Sequence, residues 1–182
     1  MAKYNEVTMG QMEACINRMG GMAPFLRFIG GSGEVVFNSI MTFLRTQLIA
    51  PLAAITASEE YFGEVEVKWM GDNFKAQFLG LELPCTERAE MKVAKLEKSS
   101  LDALILAELG DKAEITVSQF REFLGCNCAS PEWFIFYLRG KDGNLWAVLA
   151  SWSAGGGGWR VEALSVADPD GWLADGRVVS RN

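Results

Sequence analysis

Cys126-Asn127-Cys128 places two thiols two positions apart, the closest pair of cysteines in the sequence. Zinc knuckles and dithiol redox motifs typically set a two-residue spacer between their sulfurs, and this pair lacks it. Packed or loop thiols are the better reading, and no metal ligand set is expected. Cys15 and Cys85 complete the four, and neither the redox state nor any pairing among them can be read from the sequence. As a nucleophile, Cys126 or Cys128 would need a Lys, an Arg or a helix N-terminus to favour its thiolate. Arg121 and Arg139 are the nearby basic residues, too distant in sequence to imply contact.

Histidine is absent. That removes Ser-His and Cys-His nucleophile pairs, zinc sites built on imidazole, and a histidine pH switch. Acid–base chemistry would fall to Asp, Glu, Lys, Tyr or Cys. Glu59-Glu60 and the Asp168/Asp170 pair read as surface charges or turn residues, because no spacing brings two carboxylates together as acid and base. Gly155 to Gly158 could cradle a phosphate only if a Lys-Ser/Thr or a helix start followed. Trp159-Arg160-Val161 follows instead, which is strand. No cofactor is implied.

Binding chemistry has a clearer signal. The sequence holds 6 tryptophans, and all but Trp69 lie between Trp133 and Trp172. Trp152, Trp159 and Trp172 fall at expected strand ends or turns, with Arg160 beside Trp159. Tryptophan with a neighbouring arginine is enriched at binding hot spots. Trp152, Trp159, Arg160 and Trp172 are therefore the candidate binding residues, against the competing reading that the indoles plug the ends of the core.

The elements that would hold these residues follow from pattern. WFIFYLR (133–139) and LWAVLASW (145–152) are apolar on both faces, as in strands covered on both sides. Asp142-Gly143 between them is a hairpin signal. WRVEALSV (159–166) alternates, Pro169-Asp170-Gly171 marks a turn, and Gly176 to Ser180 forms a last short strand. Upstream, Thr8 to Gln11 has capping-box spacing before Met9, Met12, Ile16 and Met19, and Pro24 opens a second short helix, PFLRFI. Glu34 to Phe37 is a brief strand. Ser39 caps an expected helix with Ile40, Phe43, Leu44 and Leu48 on its apolar side, ended by Pro51. Gly63 to Met70 alternates as a strand with Val65, Val67 and Trp69 on one side. Asp72 caps NFKAQFL. Residues 91–98 favour a strand, with helix as the alternative. Ser99-Ser100 opens the helix LDALILAEL, and Thr116 to Gln119 is a second capping box, before Phe120, Phe123 and Leu124.

With 182 residues, 49 % of them hydrophobic, the chain can bury a core without a metal or disulfide staple. Net charge is −6. Residues 1–91 carry 7 basic and 11 acidic side chains and the remainder 10 and 12, so neither half offers phosphates a basic footprint. Nucleic acid is not an expected partner. The uncharged run after Arg45 ends at Ser58 and contains Pro51, too short for a span of roughly 20 residues. A membrane role is not expected. MAKYNEVTMGQ has no apolar leader region, so a cytoplasmic, thiol-reducing setting is the expectation.

FIFYLRGKDGNLWAV with GGWRVEALSVADPDGWLADGRVVSRN, joined by QMEACINRMGG, FLRFIGG, DNFKAQFLG and SSLDALILAELGDKAEITVSQ, resembles a family of uncharacterised hypothetical proteins of candidate-phyla-radiation (Parcubacteria-like) bacteria. The resemblance runs from about residue 10 to the end. The chain departs from it at CNCAS, where the relatives carry a glycine- and glutamine-rich loop without cysteines. The resemblance implies no activity and transfers no functional residue.

The expectation is an α+β fold. A C-terminal antiparallel meander, about residues 133–180, packs with several short helices from the first two-thirds. It forms a single domain over 1–182, with 1–31 a candidate appended helical pair. The preferred function is a non-enzymatic binding or interaction protein with a protein partner, using the aromatic-rich sheet end. The alternative is a carboxylate- or cysteine-dependent hydrolase working without histidine. Ligand identity and oligomeric state are not encoded in any motif.

Overall fold

The two doubly apolar stretches sit in the middle of a sheet of eight strands. The structure is a computed structural model that describes Glu13, Ile16, Asn17, residues 39–167 and residues 170–182. The chain divides into two units, Met1–Ile40 and Met41–Asn182. The expected capping box at Thr8, the helix at Pro24 and the strand at Glu34 lie outside the described residues, as do Cys15 and Asp168.

Chain order in the second unit is β1 (Met41–Ile49), β2 (Ile55–Thr56), α1 (Glu59–Gly63), β3 (Val67–Met70), α2 (Asp72–Phe78), β4 (Glu82–Leu83), β5 (Ala89–Leu96), α3 (Asp102–Leu109), a 3₁₀ turn at Gly110–Lys112, β6 (Glu114–Ile115), α4 (Val117–Cys126), β7 (Trp133–Arg139), β8 (Leu145–Ser153), β9 (Gly158–Ser165) and β10 (Arg177–Arg181). The large sheet runs β1-β5-β10-β7-β8-β9-β3, with β6 also on β7, and β2 pairs β4 separately. This is an α+β architecture.

β7, β8 and β9 are joined antiparallel. The fourth expected meander strand goes elsewhere. β10 crosses back to lie antiparallel to β5 and parallel to β7, between them. Its contact with β7 is short, Arg177 opposite Phe134 and Val178 opposite Ile135. Beyond that point β6 takes over the same flank of β7, Glu114 opposite Tyr137 and Ile115 opposite Leu138, also in parallel. The sheet therefore splays between β10 and β7, and β6 fills the gap.

Alternation sorts the buried side chains onto two faces. Phe134, Phe136 and Leu138 of β7, with Val148, Ala150, Trp159 and Val161, join one core cluster with Phe62 of α1, Phe74 and Phe78 of α2, and Phe120 and Phe123 of α4. Phe120 stands edge-on to Phe136 at 4.9 Å between ring centroids. Ile135, Tyr137 and Ala147 point the other way and are fully buried. Asp102, at the start of α3, accepts a 2.6 Å hydrogen bond from the Tyr137 hydroxyl, which sets α3 on this second face.

Several local expectations are corrected. Residues 40–48 do not form a helix: Met41–Ile49 is the strand β1, outermost on its side among the described residues and paired along its length with β5. The threefold spacing of Ile40, Phe43 and Leu48 imitates a helical stripe, but Thr42, Phe43, Thr46 and Ile49 suit a pleated ladder, and pairing with β5 prevails. Phe43, Leu44 and Leu48 stay exposed while Ile49 is buried. The strand expected from Gly63 starts only at Val67, because α1 runs to Gly63 and Glu66 adopts φ 63°. Gly71, not Asp72, caps α2, and Leu101, not a serine, caps α3. At Thr116 the capping box forms as read: Thr116 Oγ1 accepts from the Gln119 amide and Gln119 Oε1 from the Thr116 amide. Gly158, in the four-glycine run, is buried under β3, where a Cβ would stand 2.5 Å from the Glu66 carbonyl oxygen. The turn is fixed by this close approach.

Glu132 ties the edge of the sheet to its middle. It accepts from Arg177 of β10 at 2.9 Å and from Arg45 of β1 at 3.3 Å, while Arg45 also donates to Asn127 after α4. Burial pushes the Glu132 carboxyl up, but the hydrogen bonds and charges of Arg177 and Arg45 together outweigh it and hold the carboxyl below its usual range. A depressed folded-state pKa stabilises the fold above the unfolded value of about 4.3 and is lost as pH falls through the folded value. Glu132→Gln should accordingly be less stable than the native protein at pH 7, and the gap should close below about pH 4. Urea unfolding at pH 7 and pH 3 measures this. A gap that persists unchanged at pH 3 refutes the ionic account.

Candidate functional site

The four sequence-proposed residues do not converge. Trp159 is fully buried, its indole donating to the Leu124 carbonyl at the end of α4 at 3.2 Å. Trp152 is half-buried and packs edge-on to Trp159, 5.4 Å between centroids. Trp172 is buried on the other face, donating to Asp102 at 2.7 Å, with its ring 6.2 Å from that of Trp133. Each of these three indoles has its own place in the packing, and Trp159 and Trp172 are closed to a ligand. Arg160 alone stays exposed.

Arg160 nevertheless stands on a tryptophan. Its guanidinium carbon lies 4.5 Å from the centre of the Trp69 ring, and Trp69 is 40 % exposed. The alternation of residues 63–70 places Trp69 with the buried Val65 and Val67. It escapes that side because the β3–β9 register shifts between Val67 and Trp69, opposite Trp159 and Arg160. A positive φ at Glu66 and a shift one residue later leave no mark in the residue pattern, so the sequence could not have exposed Trp69.

β3 is the last strand of the sheet, and among the described residues no strand pairs with its outer side. Two clefts border it. The larger, about 530 Å³, is lined by Lys68, Trp69, Gly71, Asp72, Lys75 and Glu162 among others. The smaller, about 220 Å³, is lined by Glu59, Val67, Lys68, Met70 and Lys75. Lys68 and Lys75 thus line both. A Cβ at residue 71 would stand 3.4 Å from both the Trp69 ring and the Glu162 side chain, so these groups crowd together around the backbone there. α2 is held against β9 by Gly71 N donating to Val161 O at 2.9 Å and Asn73 Nδ2 to Ala163 O at 3.1 Å. The Trp69–Arg160 pair is therefore mounted on a rigid base.

A second cleft of about 530 Å³ opens where the sheet splays, lined by Glu82, Glu114, Arg139 and Arg181 among others. Both larger clefts contain two carboxylates, Asp72 and Glu162 in one, Glu82 and Glu114 in the other. Glu114 gives both oxygens to Arg139, at 3.0 and 2.5 Å. Asp72 and Glu162 are exposed to water. None of the four is enclosed in the apolar surroundings that set a general acid apart from a base.

Cys126 and Cys128 are exposed and unpaired by any disulfide, as is Cys85. The Cys128 thiol faces the carbonyls of Leu124 and Gly125 at 3.5 and 3.4 Å. Both carbonyls belong to the last turn of α4. Arg121 is taken up by Glu64 and Glu122, and Arg139 by Glu114. Among the described residues no three His, Cys, Asp or Glu side chains group as a metal site, and no helix is long and apolar enough to cross a membrane.

Family models, curated proteins and solved structures give no match to this chain. Its functional reading rests on its own surface.

Proposed function

We propose that the chain is a non-enzymatic binding protein that receives an extended, acidic peptide segment of a partner along β3. The observation that carries this reading is the exposed Trp69 indole, capped by Arg160, beside the open side of an edge strand. Main-chain pairing to such an edge supplies affinity, and side-chain clefts beside it supply selectivity. Tryptophan and arginine are the residues most enriched where truncation weakens a complex.

Lys68, Lys75 and Arg160 are the cations that would take the segment's carboxylates, alongside Glu59, Asp72 and Glu162 in the same lining. Lys68 and Lys75 face both clefts, and their present partners, Glu66 at 2.6 Å and Glu59 at 3.7 Å, are exposed. Exposed pairs of this kind contribute about 0–1 kcal/mol each, so a ligand carboxylate can replace them at little cost. The aromatic sheet end anticipated around Trp152, Trp159 and Trp172 is replaced by Trp69 with Arg160, which keeps one of the four residues.

Selection of a random nonapeptide display library on the native protein, with counter-selection on Trp69→Ala, tests the reading. Acid-rich sequences that bind the native protein and lose about ten-fold or more on the variant are expected, matching a hot-spot loss above about 1.4 kcal/mol. Trp69 is 40 % exposed and lies outside the core cluster, so the variant should keep its fold. Clones without acid enrichment, or clones that bind both proteins alike, would sink the proposal.

A further inference from the structure

The splay between β10 and β7 builds a site independent of the β3 edge. β6, β7 and β10 run parallel, so their ends emerge together: Arg139 closes β7, Arg181 closes β10, and β6 passes through Thr116 straight into α4. The start of α4 adds first-turn amides without a carbonyl one turn below them, and Val117 lines the cleft.

A buried side chain supplies the deciding observation. Gln119 lines this cleft and is only 8 % exposed. Its Oε1 is engaged by the Thr116 amide at 2.9 Å, which fixes the side-chain amide in orientation. Its Nε2 donates to no group among the described residues. Nε2 itself is not sealed from water, so it is a donor open to the cleft that an acceptor from outside can meet. Arg181 points to the same acceptor: it donates to the Asp111 carbonyl and has no carboxylate partner among the described residues.

The remaining lining decides the class of ligand. Arg139 is neutralised by Glu114, and Glu82 on the rim accepts from the Thr56 hydroxyl at 2.9 Å. Of the two arginines in the lining, only Arg181 lacks a carboxylate partner among the described residues, and a single available cation suits a monoanion better than a phosphate dianion. Leu83, Ile115 and Val117 are buried residues that also line the cleft, giving it an apolar side. We infer that the cleft binds a small monocarboxylate with an apolar stem, its carboxylate taken by Arg181 and Gln119 Nε2 and its stem laid on Leu83, Ile115 and Val117.

The test uses isotope-labelled full-length protein titrated with sodium hexanoate, hexylamine and inorganic phosphate, followed by NMR. Hexanoate should shift the Gln119 side-chain amide and the Val117 backbone amide saturably, and hexylamine should not. Arg181→Gln should weaken hexanoate by about ten-fold or more, the size of a charge-assisted hydrogen bond of roughly 1.5–3 kcal/mol. Arg181 is exposed, so the variant keeps its core, and unchanged resonances elsewhere verify that. The inference is overturned if hexanoate leaves Gln119 and Val117 unmoved, if hexylamine binds as well, if phosphate binds there more tightly than hexanoate, or if Arg181→Gln binds hexanoate like the native protein.

Discussion

Phe120→Ala is expected to lower the unfolding free energy by about 3–5 kcal/mol, the range for removing a buried phenyl ring. Phe120 is fully buried, and its ring lies 6.3 Å from Phe62, 5.9 Å from Phe74 and 4.9 Å from Phe136. Those neighbours belong to α1, α2 and β7, so one side chain of α4 links three other elements. Elements held from several directions relax poorly into a void, which is why the upper part of the range applies. Total stability for a domain is typically about 5–15 kcal/mol, so the variant should unfold at markedly lower urea with an unchanged slope. A loss under about 1 kcal/mol would show that Phe120 is not a hub of this core.

Asp102→Leu should cost about 2–6 kcal/mol, because it strands two buried donors at about 1–3 kcal/mol each. The Asp102 carboxylate is 3 % exposed and accepts from Tyr137 Oη and Trp172 Nε1. Burial, followed by the charge and hydrogen bond of Asp102, pushes the Tyr137 phenol far above its usual range, so it remains a donor at every pH the fold survives. Removing both donors should restore much of the loss: the triple variant Asp102→Leu, Tyr137→Phe, Trp172→Phe is expected to be more stable than Asp102→Leu alone. Matching apolar groups leave nothing unsatisfied. Thermal unfolding of the native, single and triple variants decides it. A triple variant less stable than the single one would mean that packing volume, not the stranded donors, dominates.

Trp172 shows how a local reading and a packed one diverge. Its position after a turn made it a candidate binding residue, with plugging of the core as the competing reading, and nothing near it in sequence names Asp102 as its acceptor. Features set by a few adjacent residues were legible: the capping box at Thr116, the Asp142-Gly143 turn, where Gly143 has φ 75°, and the two-sided burial of β7. Features set by pairing partners were not. Met41–Ile49 reads as a helix until β5 is beside it, and Val178 and Val179 extend a meander until β10 is seen next to β7. The cleft at the splay is assembled from segments distant along the chain, such as Leu83, Gln119, Arg139 and Arg181, so no spacing could announce it. Arg160 was named for its place next to Trp159 in the sequence, whereas the ring it caps is that of Trp69.

The position of β10 bears on how the molecule is made. It follows the other nine described strands in chain order, yet it lies between β5 and β7 and joins β1-β5 to the rest of the sheet. Until Arg177–Arg181 emerges, β5 keeps one open side and β7 one partly open flank, two templates for pairing with a neighbouring nascent chain. Synthesis therefore passes through a stage with two half-sheets awaiting one strand, and closure brings together residues as far apart as Met91 and Arg181. Contacts of such long sequence separation form slowly. Crowded, rapid expression should consequently favour aggregation, and slower synthesis at lower temperature should raise the soluble yield without any change in sequence.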